Sequence, residues 1–93
     1  MKVRPALVLH VDVRSEDCIV VFISSRTQKK KSSRFDVSIA PSRENGLKIR
    51  SVIKVDKIAT LHKKIILGKL GVLEADILAV VDKKLKQLFL IEK

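Results

Sequence analysis

The sequence predicts a small α+β domain of barrel type, with four or five mostly antiparallel strands and one C-terminal amphipathic helix. Short apolar runs, several of them alternating with polar residues, fill the first two thirds of the chain, as expected for strands. From Glu74 onward, apolar residues recur at three- and four-residue steps, the spacing of a helix. The 93 residues leave room for one domain, residues 1–93, and for no second core.

The two N-terminal apolar runs predict a β-hairpin. Residues Ala6–Val13 alternate apolar and polar side chains, and Pro5 stands where a strand is able to start. A polar turn over residues 14–17 leads into Cys18–Ile23, which is apolar and rich in β-branched residues. This composition predicts a strand that is covered on both faces.

Three further strands are predicted downstream of a long polar segment. Residues 25–34 are all polar except for the aliphatic stems of their basic side chains, and they predict a mobile basic loop. Phe35–Ile39 and Ser51–Asp56 follow as the third and fourth strands, and Ile65–Leu67 as a short fifth strand. A helix of about fifteen residues from Glu74 closes the chain, acidic in its first turn and basic later, as the helix dipole favours.

The charge of the chain points to a polyanionic partner. Twenty Lys and Arg face ten Asp and Glu, which gives a formal net charge of +10. Nucleic acid is the simplest partner for such an excess on a small surface. The three aromatic residues, all Phe, fall at expected core positions. We therefore expect no aromatic side chains at the surface on which the bases of a nucleic acid could stack.

Cellular location follows from what the sequence lacks. The single cysteine, Cys18, excludes a disulfide framework and fits a reducing compartment. His10 and Asp12 interrupt the first apolar run too early for a signal peptide, and no stretch approaches the ~20 apolar residues of a membrane span. The sequence therefore predicts a cytoplasmic protein without a membrane partner.

Metal and cofactor chemistry find little support in the residue pattern. His10 and His62 lie in different predicted elements, without the spacing of a metal-binding motif, and Cys18 opens an apolar strand, as a buried structural thiol does. No glycine-rich loop precedes a helix to hold a nucleotide. We therefore expect no metal and no cofactor.

A site that binds phosphate groups is a better candidate than a metal or cofactor site. Arg4, the pair Ser24-Ser25, and Lys54 with Asp56 all lie at predicted strand ends. Cleavage of RNA without a metal requires removal of the 2′-OH proton, stabilisation of a phosphorane and protonation of the 5′-oxygen. The residues alone favour an ordinary surface over such a site, with Arg4 flanking a strand, Ser24-Ser25 starting a loop, and Lys54 and Asp56 forming an exposed ion pair. Either way, the Lys29–Lys31 run adds to a phosphate-attracting field.

The order of motifs resembles the MazF/PemK (Kid) toxins of bacterial toxin–antitoxin systems, over nearly the whole chain. The matching segments are Lys2–Leu9 (the Arg-Pro strand start), Val20–Ser25 (a strand that ends in hydroxyl residues), Asn45–Leu47, Ser51–Ile58 with Thr60-Leu61, and Leu67–Gly71. The resemblance implies an SH3-like barrel of the MazF/PemK/CcdB type with a C-terminal helix. It also implies a homodimeric, metal-independent, sequence-selective endoribonuclease, an mRNA interferase and growth inhibitor acting on single-stranded RNA, with a cognate antitoxin as its partner.

The resemblance also assigns roles to individual residues. Arg4 matches the family's catalytic arginine, Ser24 the hydroxyl residue that contacts the scissile phosphate, and Asp56 the carboxylate proposed as general base. Lys54 stands where the Kid branch has an arginine proposed as general acid. Ser25, the adjacent hydroxyl, is assigned to RNA binding. We expect the same of the basic residues Arg26, Lys29, Lys30, Lys31, Lys54 and Lys57.

Three departures from the family pattern keep an alternative function open. The family normally has a further strand and a substrate-facing loop ahead of the Arg-Pro motif, which this sequence reaches at Arg4. Lys57 and Ala59 replace a usual Gln and Arg, and Lys54 lacks the bidentate fork of arginine. The alternative is a degenerate relative that binds RNA or an antitoxin without cleaving. A basic structural protein that binds nucleic acid non-specifically explains the charge but not the motif order.

Overall fold

The computed structural model of the protein describes residues 3–25 and 33–90. The chain forms, in order, β1 (Ala6–Val11), β2 (Asp17–Ser25), β3 (Asp36–Ile39), β4 (Ser51–His62), a 3₁₀ turn (Lys63–Ile65) and α1 (Ala75–Phe89). Most of the predicted loop over residues 25–34 lies outside the described residues. The described elements confirm the predicted class, an α+β fold with a C-terminal helix.

The four strands make one curled antiparallel sheet, a half-barrel. Their order is β1-β2-β4-β3, so β1 and β3 form the edges of the sheet within the described ranges. β1 and β2 form the predicted hairpin. A register shift between Val8 and His10 interrupts their ladder, and such a bulge bends a strand and increases its twist.

The curl depends most on β4, which pairs with both of its neighbours. Residues 51–54 of β4 bond to β3 on one side and to β2 on the other. After Lys54, which faces Phe22, the next pair of the β2 ladder is Ile58 with Val21. Three residues of β4 therefore have no counterpart in β2, and a bulge of this kind bends the strand.

The hydrophobic core lies between one face of the sheet and α1. Alternate side chains of the inner strands point to this face and pack against Val81 of the helix; the buried residues of the cluster are Val21, Ile23, Val37, Ile39, Ile53, Val55 and Val81. Cys18 and Val20 are buried on the other face of β2, which confirms that this strand is covered on both sides, with Ile19 more exposed.

The β3–β4 loop and the segment before α1 cross at very short range. Gly46 has a φ of +69°, in the left-handed region that favours glycine. A Cβ at Gly46 would overlap the carbonyl oxygen of Leu70, and a Cβ at Gly71 would overlap that of Glu44. The Val72 amide donates to the Glu44 carbonyl at 2.7 Å, which joins the two segments.

Buried Asn45 connects this crossing to the start of the helix. Its Oδ1 accepts hydrogen bonds from the amides of Ser42 and Leu47, and its Nδ2 donates to the Ala40 carbonyl and to the Glu74 carboxylate. Glu74 is the N-cap residue of α1, and its side chain makes no cap hydrogen bond to the helix. The carboxylate is instead part of the packing between loop and helix.

The predicted fifth strand is wrong, and several strand ends differ from the prediction, most at β1 and β4. Ile65–Leu67 is unpaired: Ile65 closes the 3₁₀ turn and the chain then runs outward, leaving Leu67 76% exposed. β1 ends at Val11 rather than Val13 because Asp12 starts a turn, accepting from the amides of Arg14 and Ser15. β4 continues to His62, past the predicted end at Asp56, because β2 still pairs with residues 58–62.

Across residues 3–25 and 33–90, no helix is both long enough and apolar enough to span a bilayer.

Candidate functional site

Two rows of side chains cross the sheet face that is turned away from α1. In the first row Ala6 faces Phe22, Phe22 faces Lys54, and Lys54 faces Asp36. In the second row Ser24 faces Val52, and Val52 faces Ser38. Their neighbours along the strands, among them Ile23 and Ile53, point into the core, so alternation turns both rows to the opposite face.

Arg4 extends the second row. The Ile23 amide donates to the Pro5 carbonyl at 3.1 Å, which continues the β1–β2 register beyond Ala6. β1 itself begins at Ala6, and extending its register by two residues puts Arg4 opposite Ser24. Cross-strand neighbours of this kind have Cβ atoms roughly 5 Å apart. Arg4 is exposed and Ser24 half-buried, so the guanidinium and the hydroxyl group are both available at this end of the sheet.

Lys54 makes an ion pair with Asp36 and not with Asp56. Its Nζ lies 2.9 Å from Asp36 Oδ2, and the two side chains are 20% and 11% exposed. The sequence-based alternative of an exposed Lys54–Asp56 pair is therefore wrong. Asp36 is directly opposite Lys54 in the β3–β4 register, whereas Asp56 is further along the same strand.

Asp56 and Lys57 lie in the β4 bulge. Both are exposed, and neither faces a residue of β2, because the ladder passes from Lys54 directly to Ile58. Bulges of this kind redirect side chains and are frequent beside active sites. Asp56 is two residues from Lys54, which corresponds to roughly 7 Å along a strand. The carboxylate therefore lies next to the first row without being paired to it.

The other predicted RNA-binding residues divide into two groups. Ser25 is exposed at the end of β2, where it faces Ser51. Arg26, Lys29, Lys30 and Lys31 lie outside the described residues, and their assignment stays a prediction.

Asp36 is the residue of this face that the sequence interpretation missed. The alternating pattern Phe35-Asp36-Val37-Ser38-Ile39 puts Val37 and Ile39 in the core and therefore Asp36 on the same face as Lys54. The signal was present in the alternation. What the sequence lacked was the β3–β4 register that joins two residues 18 positions apart.

The Glu16–His62 pair and the Cys18 thiol lie apart from these two rows. His62 Nε2 is 2.9 Å from Glu16 Oε2, and His62 Nδ1 accepts a hydrogen bond from the Lys64 amide. The free thiol of Cys18 is buried. Within the described ranges, no three His, Cys, Asp or Glu side chains come together as a metal centre would require.

The site is chemically suited to a phosphodiester. A guanidinium and a hydroxyl group adjacent to each other bind phosphoryl oxygens. The ammonium group in the next row is paired with Asp36. The exposed carboxylate of Asp56, four residues along β4 from Val52, which faces Ser24, is the candidate acceptor of a proton from an attacking hydroxyl group. These are the parts that a transesterification at phosphorus requires.

Comparison with solved structures gives the same fold. The chain is similar to the Mycobacterium tuberculosis toxin MazF-mt6, with a TM-score of 0.76 and 22% identity over 97% of this chain and 89% of that one. It is also similar to an Mtb toxin of known crystal structure, with a TM-score of 0.76 and 21% identity over 92% of each chain. These likenesses confirm the predicted MazF-like fold.

Comparison at the level of sequence identifies the family. A search of curated protein sequences found no match to this chain. The family profile for the PemK-like, MazF-like toxin of type II toxin–antitoxin systems matches residues 1–89. That match covers almost the whole chain and agrees with the fold, the Arg-Pro strand start and the hydroxyl residues that end β2. The chain therefore belongs to the PemK-like, MazF-like toxin family of type II toxin–antitoxin systems.

Proposed function

We infer that this protein is a sequence-selective endoribonuclease that cleaves single-stranded RNA, chiefly mRNA, as the growth-inhibiting toxin of a toxin–antitoxin pair. The observation that supports the inference is the β1–β2 register, which, extended by two residues from Ala6, brings Arg4 opposite Ser24 on the face that also carries Lys54. The net charge of +10 supports it, since RNA is a polyanion. Family membership supports it further, because the catalytic assignments come from positions that match the family's motifs.

The reaction follows from the groups at the site. Asp56 takes the proton of a ribose 2′-OH, and the 2′-oxygen attacks the adjacent phosphorus. Arg4 stabilises the charge of the phosphorane, while Ser24 and Ser25 hold the phosphate oxygens. The P–O5′ bond then breaks, and the 5′-oxygen takes up a proton, for which Arg4 is the candidate donor. The products are a 2′,3′-cyclic phosphate and a 5′-hydroxyl end.

The remaining basic residues have a binding role in this proposal. Lys57 adds positive charge at the site, and Lys54 offers N–H donors from its ion pair with Asp36. Arg26, Lys29, Lys30 and Lys31 contact the backbone of the RNA. Such contacts are independent of base identity, so they supply affinity rather than sequence choice. We further propose that the protein acts in the cytoplasm as a homodimer, without cofactor or metal, and is neutralised by a cognate antitoxin.

The experiment that tests this function is the chemistry of the RNA ends. A long single-stranded RNA is incubated with the protein, and the cleavage sites and end groups are mapped. We expect 2′,3′-cyclic phosphate and 5′-hydroxyl ends at a limited set of sites. Replacement of the scissile 2′-OH by hydrogen should stop cleavage and leave binding nearly unchanged, because internal attack needs that oxygen.

Two other outcomes lead to different functions. Ends with a 5′-phosphate would contradict the internal attack. RNA or antitoxin binding without any cleavage would instead identify the degenerate, non-cleaving relative.

A further inference from the structure

The three phenylalanine side chains lie in three different environments. Phe35 is half-buried and packs against the core cluster, as the sequence predicts. Phe89, at the end of α1, is 64% exposed. Phe22 is half-buried on the sheet face that carries Ser24, and within the described ranges it is not part of the core cluster. The expectation that all three rings lie in the core is therefore wrong for Phe22 and Phe89.

The two cross-strand neighbours of Phe22 leave part of its ring accessible. On the β1 side Phe22 faces Ala6, whose single methyl group covers little of an aromatic ring. On the β4 side it faces Lys54, whose ammonium group lies 2.9 Å from Asp36 Oδ2. Because the strand order is β1-β2-β4-β3, Phe22 and Asp36 are on opposite sides of Lys54. The ion pair therefore draws the lysine side chain away from the ring.

Phe22 is also close to the groups that the proposed function assigns to the phosphate. Ser24 is two residues further along β2 on the same face, which corresponds to roughly 7 Å. Since Phe22 faces Ala6, the extended register makes Arg4 its diagonal neighbour on β1. One ribose separates the phosphate of a nucleotide from its base. A phosphate held at Arg4 and Ser24 therefore brings the base of the same nucleotide within reach of the Phe22 ring.

We propose that Phe22 forms a nucleobase subsite, in which its ring stacks on the base of a nucleotide whose phosphate is bound at Arg4 and Ser24. This rests on the proposed function, which supplies the phosphate site. Aromatic side chains bind the unpaired bases of single strands by stacking, and they accept any base because each base has a π-face. The subsite therefore favours single-stranded over paired RNA, and it adds affinity without selecting a sequence.

An indole at this position reports stacking directly. The chain contains no Trp and no Tyr, so Phe22→Trp introduces the only indole of the protein. The variant is titrated with single-stranded DNA of mixed sequence, which has bases but no 2′-OH, and with an abasic strand of equal length. Binding of each strand is measured separately by gel mobility. We expect the base-carrying strand to quench the indole emission at saturation and the abasic strand to leave it nearly unchanged.

Phe89→Trp is the matched control. Phe89 is exposed on α1, which packs against the other face of the sheet. We expect neither strand to quench the emission of this variant. If bound, base-carrying DNA leaves the emission of Phe22→Trp unchanged, the proposal is overturned. Equal quenching by the abasic strand would overturn it as well.

Phe22→Leu tests the same contact without a probe. Leucine keeps an apolar side chain at position 22 but has no planar ring. We expect the affinity for the base-carrying strand to fall by about 10-fold to 100-fold, with an unchanged affinity for the abasic strand, and Phe89→Leu to alter neither. A merely structural role would lower both affinities together. That result, or wild-type affinity of a folded Phe22→Leu variant for both strands, would contradict stacking.

An RNA cleavage assay of the wild type separates failure of the subsite from failure of the proposed function. If the wild type cleaves RNA but DNA does not quench Phe22→Trp, the endoribonuclease assignment stands and the subsite is wrong. If base-dependent quenching occurs without cleavage by the wild type, the subsite stands and the proposed reaction fails. Binding of neither strand would contradict the phosphate site and the subsite together.

Discussion

Gly46 and Leu70 are in such close contact that only a glycine fits at position 46. The Leu70 carbonyl oxygen occupies the space that a Cβ of residue 46 would need, and the φ of +69° independently disfavours any other residue. This contact fixes the β3–β4 loop against the segment that leads into α1. It therefore determines how the helix approaches the core face of the sheet, opposite the candidate site.

Replacement of this glycine should destabilise the fold selectively. Gly46→Ala is expected to lower the free energy of unfolding by about 1–3 kcal/mol from the backbone strain alone, and the overlap with Leu70 adds to this loss. Gly68→Ala is the matched control, because no atom lies within 4 Å of the position where its Cβ would be. Urea denaturation of the wild type and both variants gives the comparison. Equal stability of the two variants would contradict the close crossing.

The strands and the helix were predictable from the sequence wherever only one face of the element is buried against the core. Phe35–Ile39 alternates because Val37 and Ile39 face the core, and the three- and four-residue spacing after Glu74 reflects the packing of α1. Ile65–Leu67 was wrongly predicted as a strand because an apolar run does not by itself show whether another strand pairs with it. The chain places these residues at the surface, where no described strand pairs with them.

The candidate site was predictable residue by residue but not as a set of contacts. Resemblance to the family selects Arg4, Ser24, Lys54 and Asp56 from the sequence. The counter-ion of Lys54 could not be chosen that way, because Asp56 is near in sequence while Asp36 is near in space. Only the β3–β4 register distinguishes the two. The three-residue bulge that carries Asp56 likewise cannot be recognised from the order of apolar and polar residues around it.

A homodimer is expected in solution. β1 is an edge strand whose Val8 and Val11 are 44% and 50% exposed, and a two-fold contact is the commonest way to cover such an edge. Sedimentation equilibrium at micromolar concentration should give twice the chain mass of 10.5 kDa. Val11→Lys should weaken the dimer, whereas Val80→Lys on the exposed part of α1 should not. A wild-type protein that stays at 10.5 kDa would contradict this prediction.

RNA binding should depend steeply on salt. Each phosphate that a lysine or arginine neutralises contributes about 0.7 to the slope of log affinity against log salt for single strands. Substitution of Lys29, Lys30 and Lys31 by Ala should flatten that slope without abolishing cleavage, since these residues are assigned to the backbone and not to the reaction. Fluorescence anisotropy between about 50 and 200 mM salt measures it. An affinity that salt leaves unchanged would exclude an electrostatic origin for the binding.

Removal of the Asp56 carboxylate should reduce cleavage more than binding. In the proposed reaction this group takes the 2′-OH proton, a contribution of typically 10²- to 10⁴-fold. Asp56→Asn keeps the size of the side chain and removes its basicity. We expect single-turnover cleavage to fall by about two orders of magnitude or more, with an RNA affinity equal to or higher than that of the wild type. Wild-type rates in this variant would remove Asp56 from the mechanism.

Single-turnover cleavage of a long single-stranded RNA in excess EDTA, with Arg4→Ala beside the wild type, tests the central claim most directly. Arg14→Ala removes the same charge from the exposed β1–β2 turn and serves as the control. We predict that the wild type and Arg14→Ala cleave equally, that Arg4→Ala is slower by about 10²- to 10³-fold, and that Arg4→Lys recovers only part of the rate because it lacks the bidentate fork. Cleavage that requires Mg²⁺, or an Arg4→Ala variant as fast as the wild type, would contradict the assignment of this face as the ribonuclease site.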